Sequence, residues 1–144
     1  MKIISKIEIL NDLNITEAIK KKFNINFQEL KVYKKLELNG IIYTSSKAET
    51  KYCDSCFTTS EVGFGNIEYF FIHDDKFYVV AKQIVRLFNP FYWNELPHLK
   101  ASLSYCYISC NINIQEVVFL KKCALIRIDD RFFISTFNIS HLFS

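Results

Sequence analysis

Glycine and proline are scarce in this chain, three and two in 144 residues, and methionine and tryptophan occur once each. Gly40, Gly63 and Gly65 cannot furnish a glycine-rich phosphate loop, and the sequence holds neither a Gly-x-Ser-x-Gly elbow nor a His-Glu-x-x-His helix. The shortage of both breakers also argues against a long disordered tail or a linker dividing the chain. No window approaches the roughly 18 consecutive apolar residues that a membrane-spanning helix needs. The opening run Met1-Lys2-Ile3-Ile4-Ser5-Lys6 reaches Glu8 and Asp12 before any secretory apolar core develops. Charge of one sign is lacking too: a net +3 permits a nucleic-acid partner without dictating one. Five cysteines make an odd number, so reduced thiols in an intracellular compartment, the nucleus included, are the expectation.

Core material, by contrast, is plentiful. Half of the residues are hydrophobic, with fourteen Phe and eight Tyr. A globule of this length buries roughly 70% of the surface its unfolded chain exposes, enough for one domain without a covalent staple. Abundant Ile, Asn and Lys beside few Ala reflect coding bias as much as physical need, so an aromatic residue is not by itself a sign of function.

Phe71-Ile72-His73-Asp74-Asp75-Lys76-Phe77-Tyr78-Val79 and Ile126-Arg127-Ile128-Asp129-Asp130-Arg131-Phe132-Phe133-Ile134 repeat one pattern. An apolar run, an Asp pair, a base and an aromatic pair ending on a β-branched residue read as a β-hairpin, because Asp tolerates left-handed backbone and its neighbours suit a pleated surface. Asn39-Gly40 is a third, stronger hairpin signal. Strands are expected over 30–38, 41–43, 55–59, 65–72, 77–86, 102–109, 114–120, 123–128 and 132–137. Ile67 to Ile72 is apolar on both faces apart from Glu68, which predicts a central strand. Asn14-Ile15-Thr16-Glu17 has the form of a capping box and predicts a helix over about 15–23, with Ile15, Ile19 and Phe23 on one stripe and Lys20, Lys21 and Lys22 in the last turn. Residues 2–10 fit helix and strand equally.

Few constellations carry chemistry. The Asp pairs invite a metal or acid–base reading, but solvated hairpin tips explain them better. Cys53-Asp54-Ser55-Cys56 has zinc-knuckle spacing, with Cys106, Cys110 and Cys123 as candidate completions. In one extended strand Cys106 and Cys110 stand roughly 13 Å apart, too far for a single ion unless a turn intervenes at Ser109-Cys110-Asn111. The plainer reading is buried thiols acting as small hydrophobes, with no cofactor. Leu87 to His98 is bounded by prolines and holds the only Trp. Its Phe88, Phe91, Tyr92, Trp93 and His98, with Lys82, Arg86 and Lys100 flanking the segment, form either a lid over an open barrel end or a surface that grips a ligand. Lys20, Lys21 and Lys22 with Lys31, Lys34 and Lys35 are the candidate nucleic-acid contacts.

The run Thr50-Lys51-Tyr52-Cys53-Asp54-Ser55-Cys56-Phe57, then Phe64-Gly65-Asn66-Ile67-Glu68-Tyr69-Phe70-Phe71 and Phe77-Tyr78-Val79-Val80-Ala81-Lys82, resembles the C-terminal accessory region of transposase-like proteins of CACTA-type DNA transposons. Lys122-Cys123-Ala124-Leu125-Ile126 and the hairpin after it extend the resemblance over roughly residues 30–138. The same strand order is similar to bromo-adjacent-homology and related small-barrel modules of chromatin proteins. These resemblances imply a domain that binds chromatin, DNA or a protein; the catalytic acidic core of a transposase is absent from the sequence.

The sequence thus predicts a mainly β chain: a single antiparallel, partly open barrel over 29–144, with one or two short helices in an N-terminal segment, 1–28, packed on it. The function expected is a non-catalytic interaction module for a peptide or protein partner, with nucleic-acid binding and an enzyme of unknown class as rivals. A homodimer is compatible with its hydrophobic strand edges.

Overall fold

The computed structural model describes residues 1–48, 55–59, 63–87, 103–117, 121–128 and 131–135. Its elements are β1 (Lys2–Ile3), β2 (Glu8–Ile9), α1 (Leu13–Phe23), β3 (Lys31–Val32), β4 (Lys35–Leu38), β5 (Ile41–Thr44), β6 (Cys56–Thr59), β7 (Gly63–His73), β8 (Lys76–Arg86), β9 (Leu103–Glu116), β10 (Lys121–Lys122), β11 (Leu125–Ile128) and β12 (Arg131–Ser135). The chain is mainly β, as its alternation predicts, and α1 is the single helix among the described residues. Residues 2–10 resolve as two short strands, because β4 and β3 offer them antiparallel partners: Ile3 pairs with Leu36 and Glu8 with Val32.

The helix begins two residues earlier than expected. Asp12 extends as the N-cap, its carboxylate accepting from the amides of Asn14 at 3.0 Å and Ile15 at 3.2 Å. Asn14 therefore lies inside the first turn, Ile15 takes the position a capping box gives to an acid, and Glu17 closes no box. The apolar stripe is as expected. Ile15 and Ile19 are buried, and Phe23 meets Phe71 and Tyr78 edge-on at 5.9 and 4.9 Å between ring centres. Asn24 ends the helix in left-handed backbone at φ 52°.

Two hairpins form where turn chemistry places them. Leu38 pairs with Ile41 around Asn39 and Gly40, at φ 52° and 79°, and His73 pairs with Lys76 around Asp74 and Asp75, at φ 49° and 62°. Two successive positive φ values match the right-handed twist of the flanking strands. Asp129 and Asp130 lie outside the described residues; the strands beside them pair Ile128 with Arg131.

Seven strands join in the order β10-β6-β7-β8-β9-β12-β11, antiparallel throughout, as a strongly curled half-barrel. Its two edge strands, β10 and β11, are consecutive in the chain with only Cys123 and Ala124 between them, so the curl brings one end of each edge together. One side of the sheet presents Phe57, Ile67, Phe70, Val79 and Ala81 to the three-stranded sheet β1-β4-β5, which contributes Leu36 and Tyr43. On the other side Phe71, Val80 and Ile114 bury Ile15 and Ile19 of α1 with Val32 of β3. A third cluster draws Cys56, Ile84, Cys106, Leu125 and Ile134 from five strands, together with Cys123.

β9 runs unbroken from Leu103 to Glu116, where the sequence predicts two strands, 102–109 and 114–120. Lys82 pairs with Ile112 and Ile84 with Ile108, so β9 carries two more residues than β8 across this interval. The polar run Ser109-Cys110-Asn111 is absorbed as a bulge: the Asn111 amide donates to Ser109 Oγ at 3.2 Å, and Asn111 Nδ2 donates to Gln83 Oε1 at 3.4 Å.

Candidate functional site

A second bulge builds the most polar buried site. Ile67 pairs with Ala81 and Tyr69 with Val80, which leaves Glu68 as one extra residue on β7. The extra residue reverses the alternation, so that Ile67 and Phe70 face the same cluster while Tyr69 and Phe71 face the other. The Glu68 carboxylate is only 2% exposed as a residue. Lys82 Nζ meets its Oε1 at 3.2 Å, Lys47 Nζ its Oε2 at 3.6 Å, and Ser46 Oγ donates to Oε2 at 3.4 Å. Two cations and a hydroxyl replace the hydration lost on burial, as a buried carboxylate requires.

The same site fixes the chain after β5. Ser45 Oγ donates to the Glu68 carbonyl, and the Ser46 amide donates to the Ile67 carbonyl at 2.7 Å. Beside it the buried Asn66, paired across the sheet with Lys82, accepts from Ser55 Oγ, and the Ile67 amide donates to the Ser55 carbonyl at 2.8 Å. Glu68 thereby joins β7, β8 and the segment 45–47. Its chemistry is that of a fastener, and the single charge in an otherwise apolar strand is the sequence signal that marks it.

Three of the predicted metal-site candidates gather in the third cluster, where Cys56, Cys106 and Cys123 are all buried. Cys123 lies next to Lys122, which pairs with Phe57, and its amide donates to the Cys56 carbonyl at 3.0 Å. The two neighbouring thiols influence each other, and their coupling holds the Cys56 proton on and eases loss of the Cys123 proton. Burial pushes the Cys106 thiol up to about 11. Cys110 is exposed on the bulge of β9, whereas Cys106 is buried, and no turn interrupts the strand between them. Cys53 lies outside the described residues. Among the described residues no group of three or more His, Cys, Asp and Glu is arranged to hold a metal ion.

The remaining candidates are dispersed. Arg86 stacks over Phe64, its guanidinium carbon 4.9 Å from the ring centre. Phe88, Phe91, Tyr92, Trp93 and His98 lie outside the described residues. Lys20 covers the Phe27 ring at 5.2 Å, Lys34 pairs with Glu8 at 3.2 Å, and Lys35 sits opposite Thr44 in β4–β5. Lys21, Lys22 and Lys31 are exposed. Asp74 and Asp75 are exposed at their hairpin tip, where His73 Nε2 approaches Asp74 Oδ2 at 3.3 Å.

One surface has no counterpart among the sequence candidates. Met1, Ile4, Ile7, Ile9 and Leu13 are exposed by 56, 37, 56, 49 and 81%, so five of the ten exposed large hydrophobics among the described residues fall within the first 13 positions. Their backbone is tied down. Ser5 Oγ accepts from the amides of Lys34 and Lys35 at 3.0 and 3.1 Å, and the Leu10 amide donates to the Leu30 carbonyl at 2.9 Å. β1 and β2 form the margins of the two smaller sheets. No helix among the described residues is long and apolar enough to cross a membrane. No protein-family model, curated protein or solved structure matches the chain.

Proposed function

We propose that the chain is a non-catalytic interaction module that binds a protein or peptide partner along the apolar strip of residues 1–13. The observation that carries this reading is the concentration of exposed aliphatic side chains on a segment whose backbone is pinned to β3 and β4. Burying one such side chain against a partner contributes about 1.5–3 kcal/mol, and a segment already held in place loses little freedom when it binds. A concentration of exposed apolar side chains on a small domain is a common mark of a protein contact. Lys6 and Glu8 punctuate the strip and supply a polar rim. The resemblance to transposase accessory regions and bromo-adjacent-homology modules supports the same kind of role, in which the domain recruits a chromatin or transposition partner and leaves catalysis to others.

The test is selection of random displayed peptides on the immobilised chain, followed by titration of the winners against the chain and its Ile7→Asp/Leu13→Asp variant. Binding to the unaltered chain that falls at least about tenfold in the variant, a difference of about 1.4 kcal/mol, supports the proposal. Equal binding to both chains overturns the site, and failure to enrich any peptide overturns the function. Duplex DNA is titrated in parallel at two salt concentrations; tight binding that collapses with salt would transfer the role to Lys21, Lys22 and Lys31.

A further inference from the structure

We propose that Cys56 and Cys123 are a redox couple, a dithiol that a peroxide converts reversibly into an intrachain disulfide bridging β6 to the corner after β10. The inference rests on strand register. Lys121 lies opposite Thr58 and Lys122 opposite Phe57, and the next step of the same antiparallel ladder sets Cys123 opposite Cys56. The ladder continues to that pair, since the Cys123 amide donates to the Cys56 carbonyl at 3.0 Å. Facing residues of antiparallel strands have Cα atoms about 4.5 or 5.5 Å apart, and disulfides span Cα separations of about 4.4–6.8 Å, so either type of pair satisfies the bond. Both side chains belong to one buried cluster.

The two sulfurs have different roles. Cys123 occupies a two-residue corner between strands, is the more accessible of the pair at 4% against 0%, and directs its own S–H toward the Lys121 carbonyl at 3.9 Å. Its thiolate attacks one oxygen of the peroxide. The O–O bond breaks, and the departing oxygen leaves as water, or as an alcohol from an organic hydroperoxide, with the proton that Cys123 gave up. Cys123 is left as a sulfenic acid. The Cys56 sulfur then attacks the Cys123 sulfur, forming the S–S bond; the S–O bond breaks, and the hydroxyl leaves as water with the Cys56 proton. The two thiols supply both electrons that reduce the peroxide, and a small-molecule dithiol returns them. Cys106 stays protonated within the apolar cluster and takes no part.

The experiment exposes the reduced, full-length chain to hydrogen peroxide, denatures it and alkylates the remaining thiols before intact-mass measurement. The reactive thiols are expected to fall from five to three. Non-reducing digestion is expected to give one linked peptide pair containing Cys56 and Cys123, released by dithiothreitol. Cys123→Ser and Cys56→Ser should each abolish the two-thiol loss, and Cys110→Ser should not. The peptide map of the unaltered chain decides the matter even if a variant fails to fold. A bridge to Cys53, Cys106 or Cys110, an interchain bridge, or Cys56 and Cys123 both remaining free to alkylate at a peroxide concentration that oxidises the exposed Cys110 would each overturn the proposal.

Discussion

Lys82 Nζ lies 3.2 Å from Oε1 of Glu68, a contact made where β7 carries one residue more than β8. The bulge turns the Glu68 carboxylate into the protein, and Lys47 and Lys82 follow it from residues that keep 46 and 36% of their side chains exposed. Each lysine alone is partly screened by water, so Lys82→Met is expected to cost about 1 kcal/mol. Lys47→Met/Lys82→Met strands a buried charge and is expected to cost about 3 kcal/mol, more than the sum of the single changes. Glu68→Gln, which keeps an oxygen for Ser46, should fall between them. Urea unfolding followed by far-ultraviolet circular dichroism measures the unaltered chain, Lys47→Met, Lys82→Met, the double variant and Glu68→Gln; additive costs would show that the two lysines act independently.

Gly65 stands directly opposite Phe57 in the β6–β7 register, and a Cβ built on it would come within 2.7 Å of Phe57 Cζ and 3.3 Å of Ala81 Cβ. The ring fills the space a side chain would occupy and covers the glycine backbone. Gly65→Ala is therefore expected to cost about 1–3 kcal/mol through overpacking. Phe57→Leu alone leaves a cavity, and combined with Gly65→Ala it should recover part of the loss. Gly63 is the useful contrast. Space around it is open, but its φ of 77° disfavours any other residue, so Gly63→Ala should cost about 1 kcal/mol that no change at Phe57 recovers. Thermal denaturation of the four variants separates the two causes.

Asp74 and Asp75 both hold left-handed backbone, at φ 49° and 62°. If the pair serves only the turn, the Asp74→Asn/Asp75→Gly variant keeps the hairpin and gains stability, because Gly reaches this conformation without strain. A gain of about 0.5–1 kcal/mol is expected in urea unfolding, with peptide binding unchanged. Loss of binding would assign the carboxylates a functional role that the turn geometry does not.

What the sequence made legible follows the range of each interaction. Asn39-Gly40 and Asp74-Asp75 declare their hairpins because the demand for positive φ is met within two residues. Ile15 and Ile19 declare the buried face of α1 by spacing alone. The cap was less legible, since Asp12 and Asn14 are equally good acceptors and the choice depends on where the incoming strand β2 leaves the chain. Ser109-Cys110-Asn111 suits a bulge as well as a turn, and only pairing with both β8 and β12 keeps β9 continuous. The lone charge in an apolar strand marks Glu68, but its partners Lys47, Lys82 and Ser46, like the approach of Cys123 to Cys56, depend on contacts between distant segments. The exposed strip of residues 1–13 was missed because its ambiguous periodicity disguised which side chains face outward.

A further prediction concerns alkaline pH. Burial pushes the Cys106 thiol from its ordinary 9.0 up to about 11, and burial, aided by nearby Cys123, pushes the Tyr43 hydroxyl from 10.0 up to about 12. Both groups are neutral when protonated, and in both the folded chain holds the proton more tightly than the unfolded chain does. Their contribution to stability is therefore complete below pH 9 for Cys106 and below pH 10 for Tyr43, and is lost as pH rises to about 11 and about 12. Unfolding free energy measured in urea with reductant present should be level from pH 7 to 9, then fall by up to about 1.4 kcal/mol per pH unit for each proton released on unfolding. Cys106→Ala should start lower at pH 7, because it opens a small cavity, yet lose less between pH 9 and 11. An unaltered chain whose stability stays flat to pH 11 would show that these groups reach water in the folded state.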